Sequence, residues 1–443
     1  MPLKGRLRGN IFSACVVGSL FVGAHAVVTA ATVTVDTPGT LATALNEVDA
    51  DTHELTIIGK VYASELTSVR DKFSSLSCLD IHALAISPAE IPSYAFAAMP
   101  LTDVKLPDNI TVIGEGAFAA LHATSLVLPA QLDSIAPYAF AYSKLTSLSI
   151  PANLTVIGKN AFGNCVSMAN VDGGSGLVTL GDNAFKCTAL GSIDLSASSR
   201  LRYVGCNAFE GCSELTSAIF PEEGNYTIGA GAFMGCQQLG NLVIAPQNQL
   251  AKLMLADSPG VELSSVLADG VRTIGAYALS GNQSSYVTLP ASLDSIAAHG
   301  MERMAIVDTI DVVSLTSVPA LGDDVWNGID KSKVVLETSN EMSDSFRAAD
   351  QWCEFHISQP TGIEGVESDI ADIKLYFENK TLIVKSSIAI ADIDVVSLGG
   401  IVMARIAPNA VEASIDASHW LGKICIVAVT LTNGTKATYT LSR

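Results

Sequence analysis

The chain has 443 residues, of which 49% are hydrophobic, 16% charged and 6% aromatic, and its formal net charge is −19. This aliphatic, charge-poor composition suits a stacked core of Leu, Ile, Val and Ala better than a deep aromatic pocket, and the length leaves room for more than one domain. An acidic chain repels phosphate backbones, which argues against nucleic acid as a partner.

Residues 1–26 read as a secretory signal peptide. Lys4, Arg6 and Arg8 precede an apolar run over residues 11–22, and Ala24-His25-Ala26 supplies a small-x-small cleavage site. A lipoprotein reading would use Phe12-Ser13-Ala14-Cys15, but most of the apolar run follows that cysteine, which favours cleavage after Ala26. Loss of the three basic residues takes the net charge from −19 to about −22. No later run is long and charge-free enough to span a bilayer. The expected location is secreted or at the outer membrane or cell surface, with attachment to the envelope left open.

Residues 27–88 are expected to form an N-terminal cap. Strands are predicted over 32–35 and 55–61, helices over 41–45 and 65–76, and the first strand of a stack over 79–81. A solenoid exposes apolar faces at its ends and needs such a cap.

The stretch 89–357 is a repeat. Phe96, Phe118, Phe140, Phe162, Phe185, Phe209 and Phe233 recur at intervals of 22, 22, 22, 23, 24 and 24, mostly after Ala, and Leu279, Met301 and Trp326 continue the series after 46, 22 and 25. The 46 is two turns, with Ala256 expected where a Phe is missing. A fixed period in this range marks a solenoid. Each coil reads as a short strand ended by Pro, as at Pro107, Pro129 and Pro151, because Pro has no N–H for a ladder. An apolar-Ile-Gly corner follows, as at Gly114, Gly158, Gly229 and Gly275, where Gly is expected to supply a positive φ. About eleven coils of 22–25 residues result. A helix over 340–352 is expected to cap the last one.

After signal cleavage eight cysteines remain: Cys78, Cys165, Cys187, Cys206, Cys212, Cys236, Cys353 and Cys425. Cys165, Cys212 and Cys236 each lie three residues after a repeat Phe, and Cys187 two after its own. That periodicity points to one column of small apolar packing residues, free thiols rather than bridges. Residues 358–371 read as a polar linker. Residues 372–443 then read as short strands with Gly399-Gly400 and Asn433-Gly434 turns, a small β-sandwich.

The pattern leucine-x-x-apolar-x-apolar-Pro, then apolar-Ile-Gly, then Ala-Phe-x-Gly-Cys is met most fully by residues 215–221 and by Ala232-Phe233-Met234-Gly235-Cys236. It resembles the BspA-type leucine-rich repeats of secreted and surface proteins of Bacteroidetes and related microbes, over about residues 79–357. The resemblance implies a right-handed leucine-rich-repeat β-solenoid in a mainly β protein, at the cell surface or secreted, and adhesion or protein binding. More weakly, Gly422 with Ile424-Cys425-Ile426-Val427 is similar to C-terminal sorting domains of Bacteroidetes secretion, with Cys in place of the aromatic and one residue of extra spacing.

No catalytic, cofactor-binding or metal-binding residue is assigned. Gly114-x-Gly116-x-x-Ala119 matches a dinucleotide fingerprint but is the repeat's own corner, without a βαβ unit. Asp49-x-Asp51 begins like a calcium loop, but Glu54 and Lys60 stand where Gly and Glu are needed. The seven histidines are scattered singly. A polysaccharide lyase would need carboxylates and a base on adjacent coils. The strand positions counted back from the Pro column are Asp103 and Lys105, Ser125 and Val127, Ser147 and Ser149, Met168 and Asn170, Ser192 and Asp194, Ser217 and Ile219, Asn241 and Val243, Ser264 and Val266, Tyr286 and Thr288. Only Asp103, Lys105 and Asp194 are charged, which gives no acid–base pair. The expected function is non-catalytic binding of an extracellular protein or glycan, with a carbohydrate-binding or carbohydrate-active solenoid as the alternative.

Overall fold

A computed structural model describes residues 29–358, 373–378, 381–397, 402–417 and 424–442. The expected signal peptide, nearly all of the linker, the Gly399-Gly400 turn and Gly422 lie outside the described residues. Two compact units divide the chain. One comprises residues 1–284, 292–306 and 319–329, and the other residues 285–291, 307–318 and 330–443.

The protein is a mainly β solenoid of about 14 turns. The count exceeds eleven because parallel pairing extends into turns without the Ala-Phe signature. Strands Ala30–Val35, Glu54–Tyr62, Cys78–Asp80 and Asp103–Lys105 form one parallel ladder, so the N-terminal segment is itself coiled. Its corner is fastened by Glu65, whose carboxylate accepts the main-chain N–H groups of Gly39, Leu41 and Tyr62 at 2.8, 2.9 and 2.7 Å. The helix there is Thr67–Lys72, shorter than predicted, and follows a 3-10 turn Ala63–Leu66.

Each coil of the repeat places a two-residue strand beside those before and after it. Glu90–Ile91, Val112–Ile113, Ser134–Ile135, Val156–Ile157, Thr179–Leu180, Tyr203–Val204 and Thr227–Ile228 form a seven-stranded parallel sheet. The second residue of each pair is buried. The residue after it is Gly in five of the seven, with Pro92 and Ala136 in the others, and Gly serves there for a reason different from the one expected. Gly158 and Gly205 do not have positive φ. A Cβ on Gly158 would lie 2.7 Å from Ala136 C and Pro137 N, and one on Gly205 2.4 Å from Asp182 N and Gly181 C. Gly here admits the backbone of the preceding coil.

Positive φ belongs instead to the residue before each Ala-Phe and to the second residue after Phe. Tyr138 and Tyr142, Asn160 and Asn164, and Asn183 and Cys187 occupy these places at φ between 53° and 61°. Alternate residues of the turn then bond in two directions. Tyr138, Phe140 and Tyr142 donate their N–H to the carbonyls of Lys159, Ala161 and Gly163 on the next coil at 2.9, 2.8 and 2.9 Å, whereas Ala141 donates to Tyr138 of its own coil at 3.0 Å. A segment that is turn along the chain is therefore a ladder across it.

This ladder stacks the Phe rings. Successive centroids from Phe96 to Phe233 are 5.3–5.8 Å apart. The same ladder corrects the missing turn. Phe233 donates to Met254 and Leu255 to Ala278, at 3.0 and 2.9 Å, so the ring position is taken by buried Leu255 and not by Ala256. The pattern had lost one residue because Leu253-Met254-Leu255 shares no letter with Ala-Phe.

The cysteine column is small and buried, but it is polar in function. Cys165, Cys212 and Cys236 donate Sγ–H to the carbonyls of Phe140, Phe185 and Phe209 at 3.1–3.2 Å, and Ser258 donates to Phe233 at 2.6 Å. Each adds a second hydrogen bond to a main-chain oxygen one coil earlier, which already accepts from Ser143, Thr188, Cys212 or Cys236, and so ties neighbouring coils together. The described cysteines are free thiols, and burial pushes the Cys236 thiol well above its ordinary range. The side chain of Cys425 is outside the description.

In the second unit, strands Tyr286–Thr288, Thr309–Asp311, Val335–Glu337 and His356–Ser358 are parallel. The helix Ser343–Ala348, shorter than the predicted 340–352, buries Phe346 edge-on against Trp352 at 5.3 Å. The C-terminal region is antiparallel. The 17-residue strand Thr381–Ser397 pairs through its first half with Lys374–Glu378 and Ala410–Asp416, and through its second half with Ile424–Leu431 and Val402–Ile406. Register shifts between these halves, so Leu382 and Val384 from one and Ile393 and Val395 from the other enter a single core. The sandwich-like core is thus enclosed by one continuously bonded sheet. The predicted Asn433-Gly434 turn is present, with Gly434 at φ 88°.

Two stability outcomes follow from coil-to-coil packing. Phe162→Ala or Phe209→Ala is expected to cost on the order of 3–5 kcal/mol in denaturant melts, by removing a ring from the middle of the stack. Gly205→Ala is expected to cost about 1–3 kcal/mol because its methyl meets backbone; an unchanged midpoint would contradict the close-approach assignment.

Candidate binding surface

The outward face of the first unit is a five-stranded parallel sheet of Ser147–Ile150, Asn170–Gly173, Ser192–Asp194, Ser217–Ile219 and Asn241–Val243. Strand alternation buries Leu148, Val171, Ile193, Ala218 and Leu242 and turns their neighbours outward. The outward row is Ser147 and Ser149, Asn170 and Asp172, Ser192 and Asp194, Ser217 and Ile219, Asn241 and Val243. Asn170 pairs with Ser147 and Asp172 with Ser149. The expected pair Met168 and Asn170 is therefore shifted by two: Met168 is buried and Asp172 is outward. Gly173-Gly174 replaces the Pro from which the register was counted, so the sequence signal was missing.

Two more expected pairs fail. Ser264 belongs to a 3-10 turn, Leu263–Ser265, and Val266 is buried. Ser125 and Val127 are exposed as expected, but they lie in a segment without strand structure. On the strands that remain, the surface is shallow and hydroxyl-rich. A depression of about 300 Å³ lies over Ser147, Ser149, Asn170, Asp172 and Ser192. Asn241 donates to Ser217 Oγ at 2.8 Å, and hydrogen bonds from Ser196 hold Asp194 below the usual carboxylate range.

A second depression, of about 380 Å³, separates Asp103–Lys105 and its continuation to Asp108 from residues 125–129. The coils are joined behind it, where Glu90–Ile91 pairs with Val112–Ile113, and at the Phe turn, where Phe96 donates to Ala117 at 2.9 Å. In front they diverge. The Phe96 and Phe118 rings are inclined by 26°, against 10° or less at the later steps of the stack. Val127 at the lip is 87% exposed.

The second unit carries charged residues that counting back from Pro did not reach, because the strands Thr309–Asp311 and Val335–Glu337 lack the terminal Pro. Asp311 and Glu337 follow Tyr286 on successive strands, and the Tyr286 hydroxyl lies 3.2 Å from Asp311 Oδ2 and from Glu337 Oε2. Burial and the two carboxylates push the Tyr286 phenol far above its ordinary value. Burial, with the charge of Asp311, raises the Glu337 carboxyl, while the Tyr286 hydrogen bond opposes that shift. The tyrosine and two acids can share one proton donor, which is an arrangement for holding the face together. Among the described residues, no three His, Cys, Asp or Glu side chains converge as metal ligands.

A buried charge also interrupts the turn column of the first unit. Glu302 accepts from Ser280 Oγ at 3.1 Å and Asn327 Nδ2 at 3.4 Å and lies 3.1 Å from His299 Nδ1. Arg303 links it to Asp257. Burial raises the Glu302 carboxyl, but the hydrogen bonds and the Arg303 charge outweigh it and leave the group below its ordinary value.

The repeat has known counterparts. The BspA type leucine rich repeat region matches residues 89–198 and 133–254, in 6 copies. The chain thus contains a BspA-type leucine-rich repeat region. A leucine-rich repeat protein from Bacteroides ovatus has 16% identity to it and a TM-score of 0.51, covering 78% of this chain and 98% of its own. The pneumococcal vaccine antigen PcpA has 15% identity and a TM-score of 0.41 over 78% and 97%. A leucine rich cell surface protein from Faecalibacterium prausnitzii has 15% identity and a TM-score of 0.27 over 53% and 82%. The fold likeness rests on the first of these. No curated protein matches the chain.

The raised Glu337 carboxyl makes a pH prediction. Its folded pKa lies above the unfolded value of 4.5, so the folded state binds the proton more tightly. The associated stability is full below that value and declines as pH rises through the folded pKa. Glu337→Gln is expected to flatten urea-melt stability across that rise. A variant whose pH profile parallels the parent would remove Glu337 from this role.

Proposed function

We propose that the protein is an exported, non-catalytic binding protein that holds an extracellular macromolecule, a protein foremost, on its outward parallel-strand face. The observation that carries this reading is the Ser147-to-Val243 face, a broad, shallow surface of hydroxyl and amide side chains on a rigid stack. Solenoids use extended faces of this kind for macromolecular ligands. Export rests on the basic, then apolar, then Ala-x-Ala order of residues 1–26. No helix among the described residues is long and apolar enough to cross a membrane. In this reading residues 27–88 cap the solenoid of 89–357, and 372–443 are a separate module beyond the 358–371 linker, with sorting as its proposed task.

A glycan-binding reading is favoured by one feature, the solvent-facing Tyr94, Tyr138 and Tyr142 on the turn side of two coils separated by the Phe118 coil. Aromatic faces offer an apolar body with a polar tip. Pull-down of extracellular matrix proteins with the full chain, run beside a glycan array, separates the readings. Saturable protein capture that survives Tyr138→Ala and Tyr142→Ala is expected. Glycan binding alone, abolished by those changes, would reverse the assignment. Fractionation into envelope and medium tests export; protein found only inside the cell would refute it.

A further inference from the structure

The parallel ladder of the first unit stops at Asp103–Lys105 and resumes at Ser147–Ile150. Among the described residues, no main-chain hydrogen bond joins 102–107 to 124–129. The orientation of the open edge can be read from the bonds that do form. Asp103 donates to Ser77, and Lys105 accepts from Ile81, so these residues spend their main-chain groups on the preceding coil. Strand alternation then turns the N–H and C=O of Val104 and Leu106 into the wedge. This is a strand edge inside a cleft of about 380 Å³, within the range of about 300–1,000 Å³ over which clefts hold ligands.

We propose that this wedge is a docking site for an extended, basic and apolar segment of a partner protein, which adds as a strand to the Val104–Leu106 edge. The proposal rests on the binding-protein reading above and deepens it. Three features select the occupant. The open peptide groups call for another backbone, as in strand addition. Val127, 87% exposed at the lip, supplies an apolar contact. Lys105 is already paired with Asp80 at 3.2 Å, which leaves Asp103 and Asp108 as the net charge of the rim. A strand alternating apolar with basic side chains meets all three. The interruption at residues 263–266 offers no such site, because Leu263 and Val266 fill it from within.

The probe is a fluorescein-labelled heptapeptide alternating valine with lysine, titrated into the full chain by fluorescence anisotropy. A second probe is the same peptide N-methylated at alternate residues, which keeps charge and side chains but removes main-chain donors. Saturable binding is expected for the first, weakened about tenfold or more by N-methylation, the equivalent of one to two main-chain hydrogen bonds. Val127→Asp is expected to weaken it by a similar factor while leaving thermal unfolding unchanged. That variant also makes the rim more acidic, so mere charge attraction would strengthen binding. The proposal is overturned by an absence of saturable binding, by equal affinity of the methylated peptide, or by undiminished binding to Val127→Asp. Self-association of the chain that the peptide competes away in sedimentation would make a second copy the occupant, and would overturn it too. Matrix-protein capture unaffected by Val127→Asp, with no peptide binding, would refute the wedge and leave the binding-protein reading standing.

Discussion

The separation between successive coils is the constraint on which the rest of the structure depends. Main-chain bonds of 2.8–2.9 Å from Tyr138, Phe140 and Tyr142 to the next coil set that separation, and every column of side chains must comply with it. The Phe rings answer with centroid steps of 5.3–5.8 Å, too long for face-to-face contact and suited to offset stacking. The corner column answers mostly with Gly, because a Cβ at Gly158 or Gly205 would meet peptide atoms of the neighbour. The Cys, Ser and Thr column answers with short donors that reach the carbonyl of a Phe.

Backbone strain is distributed rather than concentrated. Two residues of most coils adopt left-handed φ, a conformation that costs a non-Gly residue on the order of 1 kcal/mol. Asn, Asp and Gly hold many of these places at lower cost, yet Tyr94, Tyr138, Tyr142 and Leu253 also do. The ladder over-determines the geometry, so the side chain at such a place is released for other uses. Tyr277 and His299 use it to stack on each other at 4.7 Å.

Function depends on where this regularity is exposed and where it lapses. Successive strands present Ser, Asn and Asp outward without bringing three ligating groups together, and the fold makes a surface rather than a pocket. The lapse at residues 125–129 has the opposite character. The chain stays bonded behind the gap and at the Phe turn, so the wedge opens without loosening the stack.

The solenoid, its period and the stacked Phe residues were legible in the sequence, because identical coils impose identical demands and repeat their letters. The hairpin at Asn433-Gly434 was legible for a local reason, the positive φ that Gly434 adopts. What the sequence did not reveal lies where one coil differs from the next. Leu255 fills a ring position without resembling a ring, and Gly173-Gly174 removes the Pro that marked the register of Asp172. Asp311 and Glu337 meet at Tyr286 only because parallel pairing aligns strands 23 and 26 residues apart. The wedge below Val127 was invisible for the same reason, since Ser125-Leu126-Val127-Leu128-Pro129 has the same alternation as its paired neighbours. Alternation along one strand states which side chains turn outward; whether that strand bonds to another is decided by the separation of coils, a property of the stack alone.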